Sequence, residues 1–179
     1  MAGRSAALFL TDPPFGVDYA GKNEFLNTYA NGNRIQKQIK NDDLDFTDLR
    51  EFWTKTFTNA LIASAPGAAY YICAPTMGEL LINILQAIKT SGWLLKHTII
   101  WVKNNHVLGR TDYNYKHEAL LHGWKKGAAV LYGWRAGSHK FYGDPGSSTV
   151  WEIDKPANSD LHHTMKPVEL MITAILNSS

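Results

Sequence analysis

The tetrapeptide Asp12-Pro13-Pro14-Phe15 stands at the end of the apolar run Ala6-Ala7-Leu8-Phe9-Leu10-Thr11. Proline at 13 pushes Asp12 out of the α-conformation, so the run stays extended to its end and presents the Asp12 carboxylate there. The two prolines also fix φ and carry no backbone N–H. What remains at this rim is a set of acceptors, the Asp12 carboxylate and the Pro13 carbonyl, and such a rim suits an NH2 group. Phe15 adds a flat apolar face on which a planar ring can stack. These residue types at this spacing point to chemistry on an amino group. A strand that merely ends in a proline turn is the alternative.

The elements that must position these residues follow from periodicity and punctuation. Residues 16–43 form a polar stretch with an Asn31-Gly32-Asn33 turn signal and few apolar anchors, which reads as a long functional loop. From Asp45 the pattern turns helical, with Leu49, Trp53, Phe57, Ala60 and Leu61 on one face and Ala65-Pro66-Gly67 as the stop. Ala69 to Cys73 is a short buried strand. Leu80, Leu81, Ile84, Leu85 and Ile88 mark the core face of a second helix, stopped by Ser91-Gly92. His97 to Lys103 reads as a strand, and Glu118 to Trp124 with Ala128 to Tyr132 as further strands around Lys126-Gly127. This alternation predicts an α/β fold with a parallel sheet and right-handed crossovers. Pro167 and Glu169 open a last helix, Val168 to Leu176.

Length and composition bound the answer. With 179 residues, 45% of them hydrophobic, six Trp, eight Tyr and seven Phe, the chain can build one sizeable core but not two full domains. A single cysteine excludes a disulfide framework, and Cys73 in an apolar strand reads as a small buried hydrophobe in a reducing setting. No apolar run approaches the ~20 residues that a spanning helix needs, and the first residues lack the apolar core of a signal peptide. His162-His163 invites a metal, but adjacent residues on a strand rarely share an ion and no His/Cys/carboxylate spacing completes a site, so no metal is expected.

The chain resembles the amino-methylating DNA methyltransferases, whose signature is Asp/Ser/Asn-Pro-Pro-aromatic. Beyond residues 12–15, four segments look like successive blocks of that family in family order. They are Ala69-Tyr70-Tyr71-Ile72-Cys73, Ile99-Ile100-Trp101-Val102-Lys103-Asn104, Tyr115-Lys116-His117-Glu118-Ala119-Leu120-Leu121 and His163-Thr164-Met165-Lys166-Pro167-Val168-Glu169-Leu170. The order, with the Asp-Pro-Pro-Phe block first and the Lys-Pro block late, is similar to that of the permuted group whose cofactor half comes last. The resemblance implies a Rossmann-like methyltransferase fold, and of it a partial one: the catalytic, base-binding half of the sheet plus one edge helix, residues 1–179 as a single partial domain. In that group a glycine-rich turn holds S-adenosylmethionine, whereas no two of the 14 glycines here lie two positions apart, so the cofactor site is expected to be incomplete.

By the same resemblance Asp12, Pro13, Pro14 and Phe15 would carry the reaction, Asp12, Lys166 and Pro167 would touch the cofactor, and residues 16–43 would form a lid over the target base with Asp18-Tyr19 at its root. Residues 133–160 would be a short target-recognition segment. The implied reaction is methyl transfer from S-adenosylmethionine to the exocyclic amine of adenine in DNA, the base being flipped from the duplex onto Phe15. Asp at position 12 favours adenine over cytosine, where Ser is usual, and over RNA or protein targets, where Asn is usual. A catalytically silent DNA-binding or subunit-pairing module of the same fold stays open, as does a homo-oligomer or a partner that supplies the cofactor half. A cytoplasmic protein of bacterial or phage type is implied, with double-stranded DNA as its substrate.

Charge distribution adds to this. Residues 96–140 hold eight basic side chains against two acids, although the whole chain carries only +2. Lys103, Arg110, Lys125, Lys126, Arg135 and Lys140 are accordingly the candidates for phosphate contacts, with aromatics nearby for unstacked bases. A merely solvated basic face is the competing reading.

Overall fold

A computed structural model describes residues 4–30, 33, 36–76, 78–107, 114–125, 141–155 and 165–178. Its elements run β1 (Ala6–Thr11), α1 (Tyr19–Ala30), α2 (Phe46–Ala63), β2 (Ser64–Ala74), α3 (Gly78–Thr90), β3 (Trp93–Val107), β4 (Tyr115–Lys125), β5 (Val150–Glu152) and α4 (Val168–Leu176). The described strands form one sheet in the order β1-β2-β4-β3-β5. β1 runs parallel to β2, and β3 parallel to β5, but β4 is antiparallel to both of its neighbours. The α/β class and the partial Rossmann-like architecture therefore hold. The expected parallel sheet needs one correction: only seven residues separate β3 from β4, too few for a crossover, and β4 runs antiparallel between β2 and β3.

The sheet separates two apolar clusters because successive residues of a strand point to opposite faces. Tyr70 and Ile72 of β2 join Leu49, Trp53 and Phe57 of α2 and Leu80, Ile84 and Ile88 of α3 on one side. Tyr71 and Cys73 join Leu120, Ile99, Trp101 and, from α4, Leu170 and Ala174 on the other. Burial on both faces explains why β2 reads as a continuous apolar run rather than an alternating one. Burying any one of these large side chains is worth roughly 1.5–3 kcal/mol, so the two clusters supply the main driving force of the fold.

Local chemistry sets the ends of the elements. Asp45 caps α2 by accepting the Thr47 and Asp48 N–H groups, each at 2.9 Å. The helix ends at Ala63, just before the expected stop at 65–67, and β2 begins at once. Its first residues bulge outward, the register with β1 stepping from Ala6↔Ser64 to Leu8↔Ala69, and Gly67 supplies the φ of +80° that the bulge requires. β3 is longer than the expected 97–103, while α4 matches its expected bounds.

The structure adds detail to two further segments. Residues 16–43 are not one long loop, since Tyr19–Ala30 is helical. Part of the expected recognition segment, Val150–Glu152, is a strand of the sheet, held further by the Trp101 indole, which donates to the Ile153 carbonyl at 2.8 Å. Residues 128–132, expected as a strand, lie outside the described residues, as do 133–140 and 156–160.

Candidate active site

Asp12 lies at the carboxyl end of β1, and the chain turns away from the sheet through Pro13 and Pro14. The turn is fastened by two side chains. The Trp53 indole N–H, reaching up from the core face of α2, donates to the Pro14 carbonyl at 3.0 Å. Asp42, only 4% exposed, accepts the backbone N–H of Phe15 at 3.2 Å, of Gly16 at 3.1 Å and of Val17 at 3.4 Å on one oxygen, and of Tyr19 at 2.9 Å on the other. That carboxylate thus ties down the loop after the tetrapeptide and caps the amino end of α1. Gly16 is required by the turn: its φ is +67°, and a Cβ there would come within 3.0 Å of the Leu44 carbonyl and 2.8 Å of the Leu49 side chain. Phe15 is half-buried and packs against both apolar clusters, so part of its ring is already committed to the core.

The Asp12 carboxylate does not stand alone. The Lys166 ammonium donates to its Oδ2 at 2.8 Å and lies 3.3 Å from Glu118 Oε2. The other Glu118 oxygen takes the Lys103 ammonium at 3.2 Å. The result is an alternating row, Asp12–Lys166–Glu118–Lys103, whose four members come from β1, from the residues before α4, from β4 and from β3. Pro167 caps α4 with extended backbone and sets Lys166 just outside the helix, where its side chain reaches back over the sheet end.

Burial works against the charge on Lys166, but Asp12 and then Glu118 outweigh it and raise its pKa above the ordinary lysine value. Burial likewise pushes the Glu118 carboxyl up, yet Lys166 and Lys103 together hold it below the ordinary carboxylate range. Both groups are therefore ionised at neutral pH. The Cys73 thiol, next to the row, is pushed up to about 12 by burial and then by the Asp12 charge, which makes it an inert core group rather than a nucleophile.

The structure brings Lys166, and with it Pro167, to the turn formed by Asp12, Pro13, Pro14 and Phe15. It corrects two of the candidates for phosphate contacts. The Lys103 side chain is 3% exposed and paired with Glu118, so it faces the interior of the site. The Lys125 ammonium donates to the Leu61 and Ser64 carbonyls, each at 2.7 Å, where it satisfies the end of α2. Arg110, Lys126, Arg135 and Lys140 lie outside the described residues. Asp42 and Trp53 are the residues that the sequence did not place in the site, whereas Glu118 lies in the Tyr115–Leu121 segment that the resemblance counts among the family blocks, without a role of its own. For Asp42, one acid in a polar stretch, no signal existed.

Among the described residues, no group of three or more His, Cys, Asp or Glu side chains could hold a metal ion, and no helix is long and apolar enough to cross a membrane. The fit to S-adenosylmethionine is partial. Lys166 offers a cation for a carboxylate, but that cation already lies between two carboxylates of the protein, and the sequence has no glycine pair at the spacing that lets a backbone approach a cofactor closely.

An α/β sheet with an acceptor-rich Asp-Pro-Pro-aromatic turn at a strand end agrees with the amino-methyltransferase type of site that the sequence resembles. The family model described as DNA methylase, of the N6/N4 type, matches residues 6–179, and the chain belongs to that family. Its fold is similar to the crystal structure of an M1.HpyAVI-SAM complex, at a TM-score of 0.58 and 18% identity, covering 99% of this chain and 69% of that one. It is also similar to the crystal structure of M1.HpyAVI, at a TM-score of 0.56 and 16% identity, covering 98% and 66%. The chain thus spans about two thirds of the length of those structures. No curated protein sequence matches it.

Proposed function

We propose that this chain is the catalytic, base-binding half of a DNA adenine methyltransferase that uses S-adenosylmethionine. The observation that carries the reading is the Asp12 carboxylate at the end of β1, held on a fastened turn and already accepting an N–H donor, the Lys166 ammonium, at 2.8 Å. Adenine's exocyclic amine is a poor nucleophile because its lone pair is delocalised into the ring. Hydrogen bonds from its two protons to Asp12 and to the Pro13 carbonyl favour a pyramidal nitrogen with the lone pair free to one side. Catalysis is then positioning and electrostatics, without a strong base. S-adenosylmethionine, when bound, supplies the electrophilic methyl group. Once the amine is methylated, its nitrogen is acidic enough to release a proton to Asp12 or water. The base reaches the site by leaving the duplex, and the exposed part of Phe15 offers it a face.

The experiment is Asp12→Ala in a protein that joins this chain to a glycine-rich cofactor segment. Loss of a transition-state acceptor costs on the order of a hundredfold or more in turnover, with DNA affinity nearly unchanged. Near-normal turnover removes Asp12 from the mechanism. The isolated chain should bind S-adenosylmethionine weakly by calorimetry, and a micromolar dissociation constant would sink the half-site reading.

A second reading is a silent module that pairs with another chain. In its favour, α4 is apolar almost all round, yet Val168, Ile172, Ile175 and Leu176 are 66%, 47%, 42% and 64% exposed. Under that reading Asp12→Ala has no effect on any turnover the assembly shows.

A further inference from the structure

The Lys166 ammonium sits on Asp12 Oδ2 at 2.8 Å, which is the length and the kind of contact that an amine of the target base would make there. Lysine and target therefore share one carboxylate, of which the lysine already holds Oδ2. A side chain only 10% exposed, carrying a charge, has nowhere in water to retreat when displaced. It does have a second carboxylate, Glu118 Oε2, at 3.3 Å. Glu118 in turn is prevented from rotating away because Lys103, itself 3% exposed, holds its other oxygen at 3.2 Å. A displacement of well under 1 Å would bring the 3.3 Å separation to the ~2.8 Å of a full charge-assisted hydrogen bond.

We propose that Glu118 is the positioning residue of this site: anchored by Lys103, it receives the Lys166 ammonium when the target amine takes Asp12, so that the exchange leaves no buried charge unpaired. The inference deepens the reading of Asp12 as the amine acceptor and rests on it. Removal of Glu118 would leave Lys166 with Asp12 as its one carboxylate in the row, and the lysine would then hold the acceptor against the substrate. Glu118, held by Lys103, acts through Lys166.

The test uses the chain itself, labelled with 15N at its backbone amides and lysine ammonium groups, the Lys166 signal being assigned by its disappearance in Lys166→Arg. The probes are a single-stranded deoxyadenosine oligonucleotide and one of equal length built from purine deoxyriboside, which lacks the exocyclic amine. Single strands make base flipping and the recognition sequence irrelevant. The deoxyadenosine strand should shift both the Phe15 amide and the Lys166 ammonium signal, and should bind about fivefold tighter than the purine strand, the worth of one net hydrogen bond. Glu118→Gln should bring that ratio close to one. So should the charge-balanced pair Lys103→Met with Glu118→Gln, which keeps the variant foldable by removing both ends of the buried ion pair.

If Asp12→Asn abolishes the ratio while both Glu118 variants keep it, the positioning role is overturned and the amine seat stands. A Phe15 amide that responds to deoxyadenosine while the Lys166 signal stays still also overturns the exchange alone. A wild-type ratio of one, or a Phe15 amide and a Lys166 signal blind to both strands, overturns the amine seat and the inference with it.

Discussion

The Trp53 indole N–H donates to the Pro14 carbonyl at 3.0 Å, across 39 residues of sequence, so a fully buried core side chain of α2 holds the second proline of the tetrapeptide in place. The packing of the core and the shape of the acceptor rim are one structure. Trp53→Phe keeps most of the apolar volume but leaves the Pro14 carbonyl without this donor. The expected cost is about 1–3 kcal/mol, from the lost hydrogen bond and the space left by the smaller ring. Chemical denaturation checks it. An unchanged midpoint would mean that the bond is not needed to hold the turn.

Asp42→Asn tests the other fastening. The amide can accept on one side only, so at least one of the four N–H groups now on the carboxylate goes without its partner, and the charge at the amino end of α1 disappears. The expected loss is about 1.5–3 kcal/mol. Amide exchange should quicken at Phe15, Gly16 and Tyr19 before it does in β2. Uniform exchange across the chain would show that the loop is held by something else.

The charged row gives a pH dependence whose sign is fixed by its two shifts. Burial raises the Glu118 pKa, but Lys166 and Lys103 lower it more, so the folded value lies below the unfolded one of about 4.3. Its stabilising contribution is present above that unfolded value and is lost as pH falls through the folded value. For Lys166 the folded pKa lies above the unfolded value of about 10.4, so its contribution is complete below that value and is lost only as pH rises through the folded one. Melting temperatures of the wild type and Glu118→Gln should therefore differ at pH 7 and converge as pH is lowered from about 5 toward 3. A gap independent of pH over that interval would exclude an ionised Glu118 from the fold's stability.

Lys125 separates a structural lysine from one that binds phosphate. Its ammonium satisfies the Leu61 and Ser64 carbonyls, so Lys125→Ala should cost about 1–3 kcal/mol and leave the salt dependence of duplex DNA affinity unchanged. Removing a lysine that neutralises one phosphate flattens the slope of log K against log salt by about 0.9. A flattening of that size in Lys125→Ala, with stability unaltered, would return Lys125 to the DNA surface.

The sequence by itself determined what local sterics and periodicity control. Pro13 decides the extended end of β1 and the outward Asp12, Asp45 decides where α2 begins, and Pro167 with the apolar run behind it decides α4; each acts on its own neighbours within a turn or two. The order of the family blocks was legible for the same reason, being a property of the chain read in one direction. Only the tertiary structure decided which distant groups meet. Lys166 and Asp12 lie 154 residues apart and meet because α4 packs on the sheet face that carries Tyr71 and Cys73, whereas Phe15 and Asp42 lie 27 apart and meet because the chain comes back to the end of β1 before it enters α2. Lys103 and Lys125 show the limit most plainly. A basic run in a sequence gives charge but not depth, and a lysine faces phosphate or a buried acceptor according to the strand register and packing that long-range contacts fix.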